Sequence, residues 1–180
     1  MSLSRQIGYA CLVLFLFSVP AANWLIGHLG TVCVPNGPCL IPVAPGVMAP
    51  SAVPVIGAAL VLRDVVQRQL GLSWSFAAIL AGTVLSAAIA PGPLVFASGT
   101  AFLLSELADL GVYTPLQRRR LVLAVVASAA LGLVVDSLVF LWLAFGSLEF
   151  LLGQIVGKAW AVLISLPFIQ WLRRAVPSPA

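Results

Sequence analysis

Charge is scarce in this chain. Only 8% of its 180 residues are Asp, Glu, Lys or Arg, against about 25% in a soluble domain, so no aqueous surface can be assembled from it. Histidine occurs once, as His28, and the three cysteines, Cys11, Cys33 and Cys39, share no metal-ligand spacing with it. There is no P-loop and no dinucleotide fingerprint, and no general base accompanies the Ser98-Gly99 step. ATP hydrolysis, metal-assisted hydrolysis and Ser-His catalysis therefore have no visible residues. The reading is a chain that is not an enzyme, with no catalytic residue, no metal and no cofactor. The net charge of +4 does not point to a nucleic-acid partner, because the basic residues lie between apolar segments and report orientation in a lipid bilayer.

What is present is apolar: 62% of the residues are hydrophobic and the mean hydropathy is +1.14. Apolar runs fall at about 7–27, 52–70, 74–90, 93–110, 121–145 and 149–172, divided by arginines or by Pro/Gly punctuation such as Pro91-Gly92-Pro93, which reads as a tight turn. These runs are too long for barrel strands of ~9 to 11 residues, which leaves helices as the way to satisfy the backbone in lipid. The expected fold is an all-α integral membrane protein, a six-transmembrane-helix bundle forming a single domain over 1–180. Arg5, Arg63 with Arg68, Arg118 to Arg120, and Arg173-Arg174 flank ends that six alternating spans bring to one side, while the opposite loops hold no Lys or Arg. By the positive-inside rule both termini are cytoplasmic. A cleaved signal peptide competes for the first run, since Val19-Pro20-Ala21 loosely imitates a cleavage site, but the apolar run continues through Trp24 to Leu29.

The first outer loop, about 28–50, is the only long one. It is uncharged and rich in Pro, Gly and Val, a composition suited to folding back against the bundle. Cys33 and Cys39 flank the turn sequence Pro35-Asn36-Gly37-Pro38; on an oxidising face they either close a small disulfide or stay as two thiols. Cys11, inside the first run, is read as a packing residue.

Function is sought at the charges buried in these runs, because each costs ~2.5 to 3.5 kcal/mol to place at the centre of a bilayer even on the lenient insertion scale. Asp136 lies eleven residues before the turn at Ser147 and Lys158 eleven after it, so at ~1.5 Å per residue both sit ~16 Å from that turn. Two adjacent antiparallel helices thus carry opposite charges at one depth, either as a plain register-fixing ion pair or as part of a site. Gln154 is four residues from Lys158 and shares its face. Asp64 and Glu106 each lie about thirteen residues from the outer ends of their helices, a common depth of ~20 Å, with Asp109 a turn below Glu106. Counting Arg63, four acids face two bases, which requires at least one carboxylate to be protonated or free for a ligand. Arg63 and Asp109 are close enough to the cytoplasmic boundary to be read as snorkelling residues. Asn23 is either a hydrogen-bond donor to a ligand or an interhelical contact. Trp24 and Trp171 read as interfacial belt residues, and Trp142 and Trp160 as lipid-facing or packing residues before ligand-stacking ones.

The segments Leu60 to Gly71, Phe102 to Arg120, Leu131 to Phe145 and Gly153 to Pro167 resemble the queuosine-precursor transporter family, also called the vitamin uptake transporter or VUT family. The telling parts are an acid closing the second helix (Asp64), a D-x-x-V-aromatic element (Asp109 to Tyr113), D-[ST]-L-x-F (Asp136 to Phe140) and a lysine in the sixth helix (Lys158). The chain departs from the family in having Arg63 where a Thr is usual, and in its uncharged, Cys-containing first loop. The resemblance implies uptake of 7-deazaguanine precursors of queuosine across the bacterial inner membrane, with Asp136, Lys158, Glu106, Asp64, Asp109, Gln154 and Asn23 as substrate-binding candidates. A carboxylate, Asp136 or Glu106, suits the paired N–H donors of a guanine-type edge, with Lys158 donating to the ring carbonyl. The alternatives are another vitamin-like heterocycle or a non-transport membrane scaffold. Related six-helix proteins serve ATP-driven importers, which leaves open an energy-coupling partner or a homo-oligomer.

Overall fold

Long apolar stretches with few charges favour helices whose backbone bonds are all internal, and helices dominate the computed structural model. It describes residues 3–35, 37–89 and 95–176. Among these residues six helices follow one another: α1 (Leu3–His28), α2 (Val53–Leu70), α3 (Leu72–Ile89), α4 (Val95–Leu116), α5 (Leu121–Phe145) and α6 (Leu151–Ala175). Five of them are long and apolar enough to cross a membrane; α2, eighteen residues with Arg63, Asp64 and Arg68 on it, is not among the five. The Pro91-Gly92-Pro93 turn lies outside the described residues, as does Asn36.

Local chemistry sets the breaks. Gly71 divides α2 from α3 at φ 98°, a backbone region that L side chains avoid, and its N–H caps α2 by bonding Gln67 O at 2.9 Å. Gly146 ends α5 in the left-handed region, bonding back to Trp142 O. The fourth helix runs past its expected end at 110 to Leu116. Gly111 weakens but does not stop a helix whose next turn buries Tyr113 completely, and Thr114 is tied down by its hydroxyl bond to Leu110 O.

The segment between α1 and α2 adds something the helical reading did not contain, a three-stranded antiparallel sheet of β1 (Val32–Cys33), β2 (Cys39–Ala44) and β3 (Val47–Pro50) in the order β1-β2-β3. Cys33 pairs with Cys39 in register, and the two form a disulfide. The sheet folds back on the bundle as expected of so uncharged a loop. Ser51 Oγ donates to Leu25 O at 2.7 Å, Trp160 Nε1 donates to Val43 O at 3.2 Å, and Gly153 of α6 lies directly against the carbonyl of Met48.

The apolar core lies toward the end of the bundle where α2 and α4 finish. There Val65, Val66, Tyr113, Val125, Ile169 and Leu172 are buried together. A smaller cluster of Phe15, Ala59 and Ala78 joins α1, α2 and α3. Large apolar side chains point outward along every helix but α2, among them Phe17, Val84, Phe96, Trp142 and Ile164, as a lipid-facing surface demands.

Candidate functional site

Two buried charged groupings meet beside one cavity. In the first, Lys158 of α6 donates from Nζ to Asp136 Oδ2 at 2.5 Å, to Ser137 Oγ at 2.8 Å and to Gln154 Oε1 at 2.8 Å. All three ammonium hydrogens are thereby used, which is what a fully buried lysine requires. Ser137 is itself held by donating to Leu133 O at 2.6 Å. The equal-depth argument for Asp136 and Lys158 and the face shared with Gln154 both hold. Ser137 was not singled out by sequence, although its position next to Asp136 places it within reach of the lysine.

The second grouping is centred on Arg63, which is not at the boundary. It is completely buried, and so is Asp109, correcting the snorkelling assignment. The guanidinium reaches Asp64 Oδ1 at 3.1 Å, Glu106 Oε2 at 2.9 Å and Asp109 Oδ1 at 2.5 Å, joining α2 to α4 through three carboxylates. Its planar fork offers donors in several fixed directions, so one arginine can serve three acids where a lysine would present a point charge. Ser128 of α5 adds a bond to Asp64 Oδ2 at 3.3 Å. Gln67 accepts from Arg63 at 3.3 Å and donates to Thr114 at 2.9 Å, carrying the network toward the ends of α2 and α4. Asp64 and Glu106 therefore do share a depth, and the reason is the arginine between them.

The cavity is lined by residues of all six helices, Ser86 being the one from α3, and by Pro50 at the end of the sheet and Ala52 at the start of α2. Its volume is about 80 Å³, several times the ~10–15 Å³ minimum that admits one water. Asn23, Glu106, Asp136 and Gln154 line it. Asp64, Asp109 and Lys158 do not; they stand behind the lining residues and hold them. Glu106 and Asp136 each have one oxygen committed, to Arg63 and Lys158 respectively, and among the described residues the other oxygen takes no hydrogen bond. Asn23 spends one amide hydrogen on Val19 O at 3.0 Å.

Two lining aromatics, Phe102 and Phe140, were not anticipated as site residues. Their signal was present in the sequence only as position: Phe102 lies one helical turn before Glu106, and Phe140 one turn after Asp136. Trp142 and Trp160 face outward, as the lipid-facing reading had it, at 64% and 53% exposure. Trp24 stacks on His28 at the end of α1.

Helices of membrane-spanning length, apolar outside and enclosing a largely apolar cavity whose few polar groups are backed by buried ion pairs, define a multi-pass membrane protein built to receive a small solute. The chain belongs to the family described as "Putative vitamin uptake transporter", which it matches over residues 52–172; it is a membrane transporter. No curated protein and no solved structure matches it.

Proposed function

We propose that this transporter imports 7-deazaguanine precursors of queuosine, for tRNA modification, across a bacterial inner membrane. In this reading α2 joins the five apolar helices as a sixth span and both termini are cytoplasmic. The observation that carries it is the pair of half-engaged carboxylates on one cavity, Glu106 and Asp136. A guanine-type edge presents adjacent N–H donors, which a carboxylate oxygen accepts, and its flat faces match Phe102 and Phe140. Because Lys158 has its three hydrogens committed, its part is to hold and aim Asp136, and Arg63 does the same for Glu106. Asp64 and Asp109 act on the substrate only through that arginine.

Hydrogen-bond complementarity separates this substrate class from the runner-up. A heterocycle carrying a carboxylate would bring further acceptors to the acceptor oxygens of Glu106 and Asp136, whose cations are already engaged; a donor-rich ring brings the N–H groups those oxygens can take. The test is a cell that can neither make 7-deazaguanine precursors nor import them. Expressing this chain and feeding a precursor is expected to restore queuosine to its tRNA, and unmodified tRNA with the protein present in the membrane overturns the assignment.

A further inference from the structure

A second cavity, much larger at about 720 Å³, opens at the end of the bundle where α1 begins and α2 and α4 finish. That is far beyond the ~10–15 Å³ minimum that admits one water, so it is a vestibule rather than a seat for a bare ion. Arg5, Arg68 and Arg118 line it, from three different segments, and no carboxylate does. Every ion pair among the described residues involves Arg63 or Lys158, so these three arginines are not neutralised there.

Buried donors point the same way. Gln69 is 2% exposed and lines the vestibule; its Oε1 accepts from Ser4 Oγ at 2.6 Å, while its Nε2 has no partner. Arg68 Nε is likewise buried and unpartnered. An orphaned amide donor and an orphaned guanidinium donor on two residues that line one cavity cost stability unless acceptors reach them. The mouth of the vestibule is apolar: Leu72 and Trp74 are half exposed, and Trp74 packs edge-on to Tyr9 at 5.6 Å. A tryptophan beside a cluster of arginines at a helix end is the arrangement of a membrane interface.

We propose that this vestibule binds a phosphate-bearing anion, and that the phosphate belongs to the headgroup of an anionic lipid entering past Trp74. Arginine and amide N–H groups give a phosphodiester charge-assisted bonds, and basic pockets between transmembrane helices are suited to such headgroups. The inference is independent of which heterocycle the transporter carries.

The test uses the full chain purified in a zwitterionic detergent, with retained lipids counted by native mass spectrometry and affinity read by titration. Phosphatidylglycerol is expected to bind at one site per chain and phosphatidylcholine not. Affinity should fall roughly five-fold for each arginine replaced by Gln, and on the order of 100-fold in R5Q/R68Q/R118Q. Protection from thermal unfolding by glycerol phosphate, lost in that triple variant, together with no retention of phosphatidylglycerol, keeps the anion site and overturns its assignment to lipid. Equal binding of the two lipids, or undiminished phosphatidylglycerol binding by a folded triple variant, overturns the proposal altogether. Should the triple variant not fold, Q69L takes its place: it is expected to weaken phosphatidylglycerol binding, and unchanged binding in Q69L overturns the site.

Discussion

Gly57 on α2 lies against the main chain of Lys158 on α6: a methyl group at position 57 would sit 2.8 Å from the Lys158 carbonyl oxygen and 2.9 Å from its Cα. Helices in lipid gain by close backbone approach at small residues, and here that approach brings the lysine and its partners beside the cavity. Gly57→Ala is expected to cost ~1 to 3 kcal/mol through the forced shift of α6, and Gly57→Leu to abolish folding. Thermal unfolding of the purified variants measures both, and an unchanged midpoint in Gly57→Ala would mean the helices are not held at this spacing.

Asp136 and Lys158 form the more isolated of the two ionic groupings, which makes them suited to a double-mutant cycle. Asp136→Asn or Lys158→Met alone strands a buried charge at a cost of ~3 to 5 kcal/mol, and the double variant should recover much of that loss. The comparison is of unfolding midpoints of the three variants. Additive losses would show that the pair is not coupled.

Glu106 faces the cavity and Arg63 alike, so its substitution should be felt more in transport than in stability. Glu106→Gln keeps the shape and puts an amide N–H where a ring N–H seeks an acceptor; leaving a buried donor unpartnered costs ~1 to 3 kcal/mol, which corresponds to a roughly 5- to 150-fold loss in substrate affinity. Trp142→Ala, on the outward surface at 64% exposure, is the control expected to retain uptake. Precursor uptake at matched membrane levels distinguishes them; equal losses would remove Glu106 from the site.

Orientation is checked by single cysteines in a background lacking Cys11, where the paired Cys33 and Cys39 do not react with maleimides. A cysteine at Arg119 should be labelled only from the cytoplasm and one at Val34 only from outside. External labelling of position 119 reverses the orientation.

The pairing of Asp136 with Lys158 was legible because both distances are counted from one turn between adjacent helices, and rise per residue converts sequence directly into depth. Arg63 was misread for the complementary reason. Depth counted along α2 alone does not reveal the facing helix, and α4 was taken to end at 110, whereas it continues to Leu116 and so carries Glu106 and Asp109 further inside. Phe102 and Phe140 lie in helices apolar on every side, where periodicity cannot tell a cavity-facing ring from a lipid-facing one. The sheet was hidden by its brevity, since strands as short as Val32–Cys33 leave too few residues for an alternation to register.

That sheet constrains how the transporter can move. It is bonded to α1 through Ser51 and Leu25, and to α6 through Trp160 and Val43, with Gly153 pressed on Met48. A rocking motion that parted α1 from α6 would have to break these two hydrogen bonds, so in any cycle that keeps them the cavity-lining residues of those helices, Asn23 and Gln154, stay on the same side.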